Sequence, residues 1–480
     1  FLTQSPAALT IAKKAIYNEE KGEEAMHDFL QLVVRMLQYG VWRALAAMAV
    51  CLLPLGAVYV FCRKKGRGFP WGKAVAFVML AGYGAVLLYV TLLRQVGLNR
   101  QANLYLFRAW REAWNTFSLQ NWLNVLLNIA LFIPLGALLP LLAGPFRKWY
   151  AALAAGFGTT LAIESAQYML GRGMFDVDDL FTNTLGAMLG WCAVMTAVKW
   201  REGKWRAYAA LPAAFCLLLG GIFGGYQLKE YGNLPEAPAF AARLGQVEWE
   251  VAPLEEWPET VPTYWAEPFT KESCELFGAA FAQRAGITFP DAYYYDDLTV
   301  FANHATGDFL DVWYHDRSYE FTASGRFDLP GAEGEEPRLR ELLAEYGIEL
   351  PAGAVFAYEG NGWHSFTADF LPQGEQVVNG ALRCRYMEDG CIGEIESDLV
   401  TMTPYKEEAV ISVEKALEEL KRGNFQGGEM FAMNRVRRVT VLDCQLVYRA
   451  DTKGFYQPLY AFLVQPEGMG EGRVFLPAMK

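Results

Sequence analysis

The chain of 480 residues is 53% hydrophobic and 14% aromatic, which excludes a disordered or fibrous protein because so many apolar side chains can bury a large core. Its formal net charge of −11 excludes nucleic acid as a partner, since phosphate binding needs a basic surface. At this length we expect more than one domain.

The charge is divided unequally along the chain. Residues 1–225 hold 21 Lys and Arg against 11 Asp and Glu, a net charge of +10, whereas residues 226–480 hold 21 against 42, a net charge of −21. Most of the apolar excess lies in the first part. The sequence therefore predicts a multi-domain protein in which a membrane domain precedes an acidic soluble domain.

Residues 1–43 form an N-terminal segment ahead of the first apolar stretch. Residues 1–25 have neither the apolar core nor the cleavage site of a signal peptide, so we assign them no function. Met26 is an alternative natural start, which would make residues 1–25 foreign to the native protein.

Six stretches are long and apolar enough to cross a bilayer, which needs about 20 apolar residues in a helix. They are 44–62, 74–93, 121–143, 149–170, 180–198 and 207–225. Five contain no charged residue, and the fourth contains only Glu164. This predicts an all-α six-helix transmembrane bundle over 44–225 and a multi-pass protein of the cell membrane.

Basic residues predict the orientation of the bundle. Loops 63–73, 144–148 and 199–206 carry five, two and four Lys or Arg, whereas the longer alternate loops 94–120 and 171–179 carry four and one. By the positive-inside rule the first set is cytoplasmic. The acidic domain that follows the last span is then extracytoplasmic.

Loop 94–120 has aromatic residues at helical spacing, namely Phe107, Trp110, Trp114 and Phe117. This pattern is typical of a short amphipathic helix at the membrane interface, where Trp side chains anchor. The alternative is a helix that packs on the outer domain.

Polar side chains inside the predicted spans converge on one level of the outer leaflet. At 1.5 Å per residue, Asn128, Glu164 and Asn183 all lie about 6–10 Å below the outer surface. A carboxylate in lipid is costly, so Glu164 should face the bundle and find a cation, a proton or a hydrogen-bond donor. The nearest candidate cations are Arg172 and Arg94. The candidate ligand-binding residues are Asn128, Glu164, Gln167, Arg172, Asp176, Asp178, Asp179 and Asn183.

The sequence leaves the chemistry of these residues open. Glu164, Asp176, Asp178 and Asp179 could coordinate Mg²⁺ or Ca²⁺, with Arg172 facing a phosphate of a lipid-linked pyrophosphate. Alternatively, Glu164 and Arg172 form an ion pair that only holds the bundle, the amides join helices, and an Asp caps the fifth helix. We expect no resident cofactor, with a divalent cation as the alternative.

Three stretches around these residues resemble the VanZ-like family. They are NIALFIPLGALLP at 128–140, IESAQ at 163–167 and GRGMFDVDDLFTNTLGAMLG at 171–190. The resemblance covers about residues 73–199 and implies a bacterial envelope protein whose family namesake is linked to resistance to the glycopeptide teicoplanin. The family has no settled catalytic activity, so no mechanism is implied. In the third stretch, Gly186 and Gly190 have the spacing of a small-residue helix contact.

The remainder of the chain is predicted to contain a linker and an α+β domain. Residues 226–268 contain six prolines and are expected to form an extended linker. Residues 269–480 are expected to form the acidic domain, with a hairpin turn at 387–390. Helices are predicted at 271–285, 337–346 and 411–421, and strands near 293–302, 309–323, 363–371, 378–400, 438–450, 456–465 and 473–478.

Part of this domain is similar to the outer domains of YycI-type regulatory proteins and PepSY-like modules. The similar stretches are VEKALEELKRGNF at 413–425, YQPLYAFLV at 456–464 and FLPAM at 475–479. The similarity implies a domain that binds an extracytoplasmic protein partner and is not an enzyme. The net charge of −21 over residues 226–480 would keep this domain away from anionic lipid surfaces.

We therefore expect a non-enzymatic envelope protein that binds membrane lipid, a lipid-linked cell-wall precursor or the lipid tail of a glycopeptide in an outer-leaflet polar pocket. Two alternatives remain. One is an enzyme or transporter acting on a lipid phosphate, and the other is a regulatory sensor that receives a signal through its outer domain.

Overall fold

A computed structural model describes residues 42, 44–93, 101–235, 247–295, 297–323, 325, 329–425 and 436–480. The predicted N-terminal segment, apart from Trp42, and the candidate cation Arg94 lie outside the described residues. The chain divides into two compact units. The helical unit contains the described residues up to Trp114 together with Leu119–Lys229, and the sheet unit contains Glu230–Lys480 together with Asn115–Ser118.

The described part of the helical unit has five helices that are long and apolar enough to cross a membrane. They are α1 (Ala44–Lys64), α2 (Trp71–Leu88, continued by a π-turn at Tyr89–Leu93), α4 (Leu119–Leu142), α6 (Val177–Lys199) and α7 (Trp205–Leu228). Five of the six predicted spans are therefore confirmed.

The fourth predicted span is also a helix, α5 (Trp149–Leu170), but it is not among these five. Glu164, Gln167 and neighbouring threonines make its second half less apolar than the other spans. The six-span bundle is thus only partly supported, and the helix that falls short is the one that carries Glu164.

Short elements connect the long helices. Strand β1 (Ala102–Asn103) and helix α3 (Arg108–Thr116) lie between α2 and α4, and strand β2 (Phe175–Asp176) lies between α5 and α6. The two strands pair in parallel, with Asn103 opposite Asp176. Helix α3 confirms the short helix predicted in loop 94–120.

Helices α4 and α6 approach each other through glycine. A Cβ atom at Gly186 or Gly190 would lie 2.0 Å from the carbonyl oxygen of Ile129 or Ile133, respectively. From the other side, a Cβ at Gly136 would lie 1.7 Å from the carbonyl oxygen of Ala187. The backbones themselves are therefore in contact, as small-residue helix interfaces allow.

The sheet unit contains three helices and fourteen strands among its described residues. The helices are α8 (Lys271–Ala285), α9 (Glu336–Glu345) and α10 (Val413–Lys421). The strands are β3 (Glu248–Val251), β4 (Thr260–Trp265), β5 (Asp291–Tyr294), β6 (Leu298–Asn303), β7 (Asp308–Trp313), β8 (Tyr319–Ala323), β9 (Val355–Gly360), β10 (Trp363–Gln373), β11 (Gln376–Tyr386), β12 (Ile392–Ser397), β13 (Val400–Ala409), β14 (Arg438–Ala450), β15 (Phe455–Pro466) and β16 (Gly472–Pro477).

These strands form a continuous, almost entirely antiparallel arrangement. The order is β3-β14-β15-β4-β13-β11-β12-β8-β7-β6-β5, with β10 joining β11 to β9 and β16 pairing with β15. Among the described strands of this unit, β3 and β14 form the parallel pair. Helices and strands segregated in this way make the unit α+β, as predicted.

Helices cover two of the three hydrophobic cores found among the described residues of the sheet unit. Helices α8 and α9 cover the first core, which is centred on Leu310, Phe321 and Leu382. Helix α10 covers the second core, which includes Phe462 and Val474. Each helix buries one face against a sheet that could not remain in water by itself.

The boundary of the sheet unit differs from the sequence prediction. Residues 226–268 were expected to form an extended linker, but they contain β3 and β4, which pair with β14 and β13. The sheet unit begins at Glu230. Prolines are compatible with this, because Pro262 pairs with Glu407 of β13 on one side only, whereas β15 pairs with β4 at Tyr264 and Trp265.

His364, at the start of β10, is completely buried in the sheet unit. The Gly334 N–H donates to its Nε2 at 3.0 Å, and Nδ1 is 2.9 Å from the Gly362 carbonyl oxygen, which requires a donor. Only the neutral imidazole, protonated at Nδ1, satisfies both partners. Burial lowers the pKa of His364 accordingly.

This arrangement predicts a loss of stability in acid. As the pH falls below about 6.5, the unfolded chain binds a proton at His364 that the folded chain does not, so stability falls until the lower folded pKa is reached. We expect the melting temperature of the sheet unit to fall by a few degrees between about pH 7.5 and about pH 5. Tryptophan fluorescence of the full chain in detergent, recorded for wild type and His364→Gln, measures this.

The control for this prediction is His304→Gln, at an exposed histidine of the same unit. The pH-dependent part of the melting temperature should shrink in His364→Gln and persist in His304→Gln. Identical pH dependence in wild type and His364→Gln would show that His364 does not contribute.

Candidate functional site

Four candidate residues meet at one end of the helical unit, and we call them the acidic cluster: Asn128, Glu164, Asp179 and Asn183. They come from α4, α5 and α6. Glu164 and Asn183 are 2% and 5% exposed, whereas Asn128 and Asp179 are partly exposed. The cluster therefore has an interior and an open side.

Glu164 and Asp179 are the two carboxylates of the acidic cluster. The Asp176 N–H donates to Glu164 Oε2 at 3.1 Å, and Asn128 Nδ2 donates to Asp179 Oδ1 at 2.5 Å. Neither forms an ion pair with a Lys or Arg in the part of the chain that the structure describes.

Asn183 lies one helical turn after Asp179 on α6. Its Nδ2 donates to Thr160 Oγ1 at 2.9 Å, but its buried Oδ1 has no hydrogen-bond partner among the described residues. An acceptor buried without a donor is costly. This oxygen therefore marks a position where a donor is missing.

Thr160 is a residue that sequence reasoning missed. It is completely buried, accepts the hydrogen bond from Asn183 and lies one turn before Glu164 on α5. Its i, i+4 relation to Glu164 was the signal that could have identified it.

Asp176 and Asp178 serve the local fold rather than the acidic cluster. Asp176 is the N-cap of α6, accepting from the Asp178 N–H at 2.8 Å, and it also accepts from Asn103 Nδ2 at 3.0 Å. Asp178 is 1% exposed and accepts from the backbone N–H groups of Phe107 and of Ala109, the latter at 2.7 Å. Both carboxylates thus fix β1 and the start of α3 to the start of α6.

Gln167 and Arg172 fasten the end of α5 to the end of α2. Gln167 Nε2 donates to the Thr91 carbonyl at 3.0 Å, and Arg172 Nη1 donates to the Leu92 carbonyl at 2.8 Å. The alternative ion pair between Arg172 and Glu164 is not formed. Both side chains instead donate to carbonyl groups near the end of the π-turn that continues α2.

The sequence offers four acids, Glu164, Asp176, Asp178 and Asp179, as possible ligands for a divalent cation. Among the described residues, no group of three or more His, Cys, Asp or Glu side chains is placed to hold a metal ion. Asp176 and Asp178 are occupied by backbone N–H groups, which explains why the four acids do not converge on one point.

Helix α3 closes this end of the helical unit. Its Trp110 meets Trp122 of α4 edge to face at 6.2 Å between ring centroids, and its Trp114 meets Tyr226 of α7 at 6.3 Å. Phe107, just before α3, contacts Phe181 of α6 at 5.1 Å. Three of the four aromatic residues that the sequence singled out therefore pack α3 and its start onto the spans.

A separate apolar cavity of about 380 Å³ lies between α1 and α2. Leu52, Tyr59, Trp71 and Val78 are among the side chains that line it. No residue of the acidic cluster lines it, so the cavity and the cluster are distinct features.

The comparisons with known proteins agree with the resemblance found in the sequence. Residues 80–198 match the VanZ/LLP1 family model, a range that contains all eight candidate residues. The resemblance to the VanZ-like family is thus confirmed for this part of the chain. Together with the five apolar helices, it supports a membrane protein of the VanZ-like type.

The other comparisons add little. No curated protein matches the chain. An uncharacterized protein from Eubacterium rectale ATCC 33656 is 12% identical with a TM-score of 0.27, over 49% of this chain and 88% of that chain. The C-terminal domain of Bacillus megaterium YpeB is 11% identical with a TM-score of 0.18, over 45% of this chain and 95% of that chain. Likenesses this weak carry no inference about this chain.

Proposed function

We propose that this VanZ-like membrane protein binds the headgroup of a lipid or of a lipid-linked cell-wall precursor at the acidic cluster, without catalysing a reaction. The observation that carries the proposal is the pair of carboxylates, Glu164 and Asp179, held on neighbouring helices without a cation among the described residues. Ionisable groups inside a membrane are expensive and mark functional sites by default.

The surroundings of the pair support a binding site rather than a purely structural contact. Structural hydrogen bonds account for one oxygen of each carboxylate, through Asp176 N–H and Asn128 Nδ2. The second oxygen of each has no donor among the described residues. Because Asn128 and Asp179 are partly exposed, a headgroup can reach these oxygens from the open side of the acidic cluster.

The proposed leaflet follows from the loop charges. The acidic cluster lies near the end of α5 and the start of α6, at the opposite helix ends from the basic loops 144–148 and 199–206. The positive-inside rule places those loops in the cytoplasm. The cluster then belongs to the outer leaflet, and the sheet unit, which follows α7, is extracytoplasmic and available to a protein partner.

The enzyme or transporter alternative finds less support in the geometry. Recognition of a lipid phosphate needs a cation, and Arg172, which donates one N–H to the Leu92 carbonyl, forms no ion pair with Glu164 or Asp179 among the described residues. A link to teicoplanin resistance rests on the family resemblance alone. A sensor role for the sheet unit has no particular contact in its favour.

Lipid binding is tested by mass spectrometry of lipids that co-purify with the full chain. In Glu164→Gln, the side-chain oxygen can still accept from the Asp176 N–H while the charge is removed. We expect this variant to lose the lipid class enriched by the wild type about tenfold, as expected for loss of a charged hydrogen bond.

The matched control is Glu202→Gln. Glu202 is exposed, forms an ion pair of 2.7 Å with Lys199, and lies just after the end of α6, whereas the acidic cluster lies near its start. It should retain the lipids of the wild type. A lipid profile that is the same in wild type and Glu164→Gln, with both proteins folded, would contradict the proposed function.

A further inference from the structure

The acidic cluster has more hydrogen-bond acceptors than donors. Three oxygens of the cluster have no protein donor in the described parts of the chain, namely Glu164 Oε1, Asp179 Oδ2 and Asn183 Oδ1. The Asn183 residue is only 5% exposed. These three oxygens come from two helices that pack directly against each other. A ligand that fits them must donate hydrogen bonds and carry positive charge.

We infer that the group bound by the acidic cluster is a primary ammonium of a lipid headgroup. The inference rests on the proposed function, because it names the chemical class that the same site accepts. An ammonium group has three N–H donors, equal to the number of oxygens without a donor, and its positive charge is attracted to the carboxylates of Glu164 and Asp179.

The same oxygens reject a phosphate group. An anion beside two carboxylates would add a third negative charge in a medium of low dielectric constant, where repulsion is strong. Arg172 is the described arginine nearest in sequence to the cluster, and it donates to the Leu92 carbonyl. The phosphate of the lipid must therefore stay outside, toward the open side at Asn128 and Asp179.

A quaternary ammonium fits less well than a primary one. It has the positive charge but no N–H group, so the buried Asn183 Oδ1 would stay without a donor. The site should therefore discriminate between two headgroups of equal charge. This distinguishes recognition by hydrogen bonds from simple electrostatic attraction.

The test uses the full chain in detergent with an equimolar mixture of phosphatidylethanolamine, phosphatidylcholine and phosphatidylglycerol of identical acyl chains, and native mass spectrometry to count bound lipids. We expect the wild type to prefer phosphatidylethanolamine over phosphatidylcholine by about tenfold. The preference should vanish in Glu164→Gln and Asp179→Asn and persist in Glu202→Gln. Two variants are used because either alone could disturb folding, which thermal melting of each reports.

A further arm tests whether the site has a native cation. Arg94→Gln examines a cation outside the described residues. If phosphatidylethanolamine selectivity appeared only in Arg94→Gln, Arg94 would be the native occupant and the inference would be overturned.

The outcomes also distinguish this inference from the proposed function. Equal binding of the three lipids by wild type, lost in Glu164→Gln, would refute the ammonium and leave lipid binding in place. Lipid retention that is independent of both carboxylates would refute both. Selectivity for phosphatidylethanolamine that depends on Glu164 and Asp179 supports both.

Discussion

Replacing Gly186 by alanine is expected to destabilise the helical unit by about 2–3 kcal/mol, in the upper part of the range of about 1–3 kcal/mol typical of overpacked cores. The new Cβ would lie 2.0 Å from the Ile129 carbonyl oxygen and 2.9 Å from its carbonyl carbon. These atoms belong to the backbone of α4 and cannot rotate away as a side chain would. The two helices must therefore separate to admit one methyl group.

The same change should disturb the acidic cluster. Asn128 precedes Ile129 on α4, and its hydrogen bond of 2.5 Å to Asp179 joins α4 to α6 two turns before Gly186. Separation of the helices at Gly186 pulls these two side chains apart. We therefore expect Gly186→Ala to weaken lipid retention as well as to lower the melting temperature.

The matched control is Gly158→Ala. Gly158 is also a helical glycine of this unit, in α5, but nothing lies within 4 Å of a Cβ placed there. Since alanine favours a helix over glycine by about 1 kcal/mol, this variant should melt at or above the wild-type temperature. Detergent-solubilised protein followed by size exclusion after heating gives the comparison. Equal melting of the two variants would show that the close contact between α4 and α6 does not limit stability.

The helical unit could be predicted from sequence because its signals are local. Apolar runs of span length identify α1, α2, α4, α6 and α7, and depth along each span brought Asn128, Glu164 and Asn183 to one level. The contribution of α5 was harder to judge, since the same Glu164 that marks a site reduces the apolar character of its helix.

The roles of individual acids could not be predicted, because they depend on contacts distant in sequence. Asp178 accepts from the Phe107 and Ala109 N–H groups, 71 and 69 residues away. Adjacent acids in a sequence indicate a possible set of metal ligands as long as the backbone N–H groups that donate to them are unknown. Arg172 likewise looked like a cation for Glu164, whereas the π-turn of α2 supplies a carbonyl that it binds instead.

In the sheet unit, sequence patterns identified strands better than they identified boundaries. The prediction of a strand at 438–450 matches β14, and the turn predicted at 387–390 does separate β11 from β12. The sequence predicts one strand at 293–302, but the structure has the hairpin of β5 and β6 there. Strand β13 was missed, since its proline and charged residues lack the usual alternation.

Asp451 is expected to be among the most sensitive positions of the sheet unit. Its carboxylate is completely buried between β14 and β15 and accepts four hydrogen bonds from nitrogen. Oδ1 accepts from the N–H groups of Lys453 at 2.7 Å and Phe455 at 3.0 Å. Oδ2 accepts from the Gly232 N–H and from Gln457 Nε2, both at 2.6 Å. Burial raises the pKa of this carboxyl, and the four donors counter the effect.

Because both oxygens of Asp451 face two donors, even the isosteric Asp451→Asn should destabilise the sheet unit, by about 3 kcal/mol. The amide NH₂ must replace one oxygen, and in either orientation it would point its hydrogens at two N–H groups. If the amide NH₂ faces Gly232, the hydrogen bond from the Gly232 N–H is lost. This bond and the one from the Asn233 N–H to Thr452 Oγ1 hold the first residues of the sheet unit.

The variant should therefore show two effects that a general loss of packing would not combine. Thermal melting of the full chain should fall, and limited proteolysis near residues 230–235 should accelerate well below the melting temperature, since local opening there needs less energy than global unfolding. Asp369→Asn, at an exposed aspartate of β10, is the control and should behave as wild type. If Asp451→Asn had the melting temperature and the cleavage rate of the wild type, the prediction would be wrong. The carboxylate would then not be what holds residues 230–235 in the sheet unit.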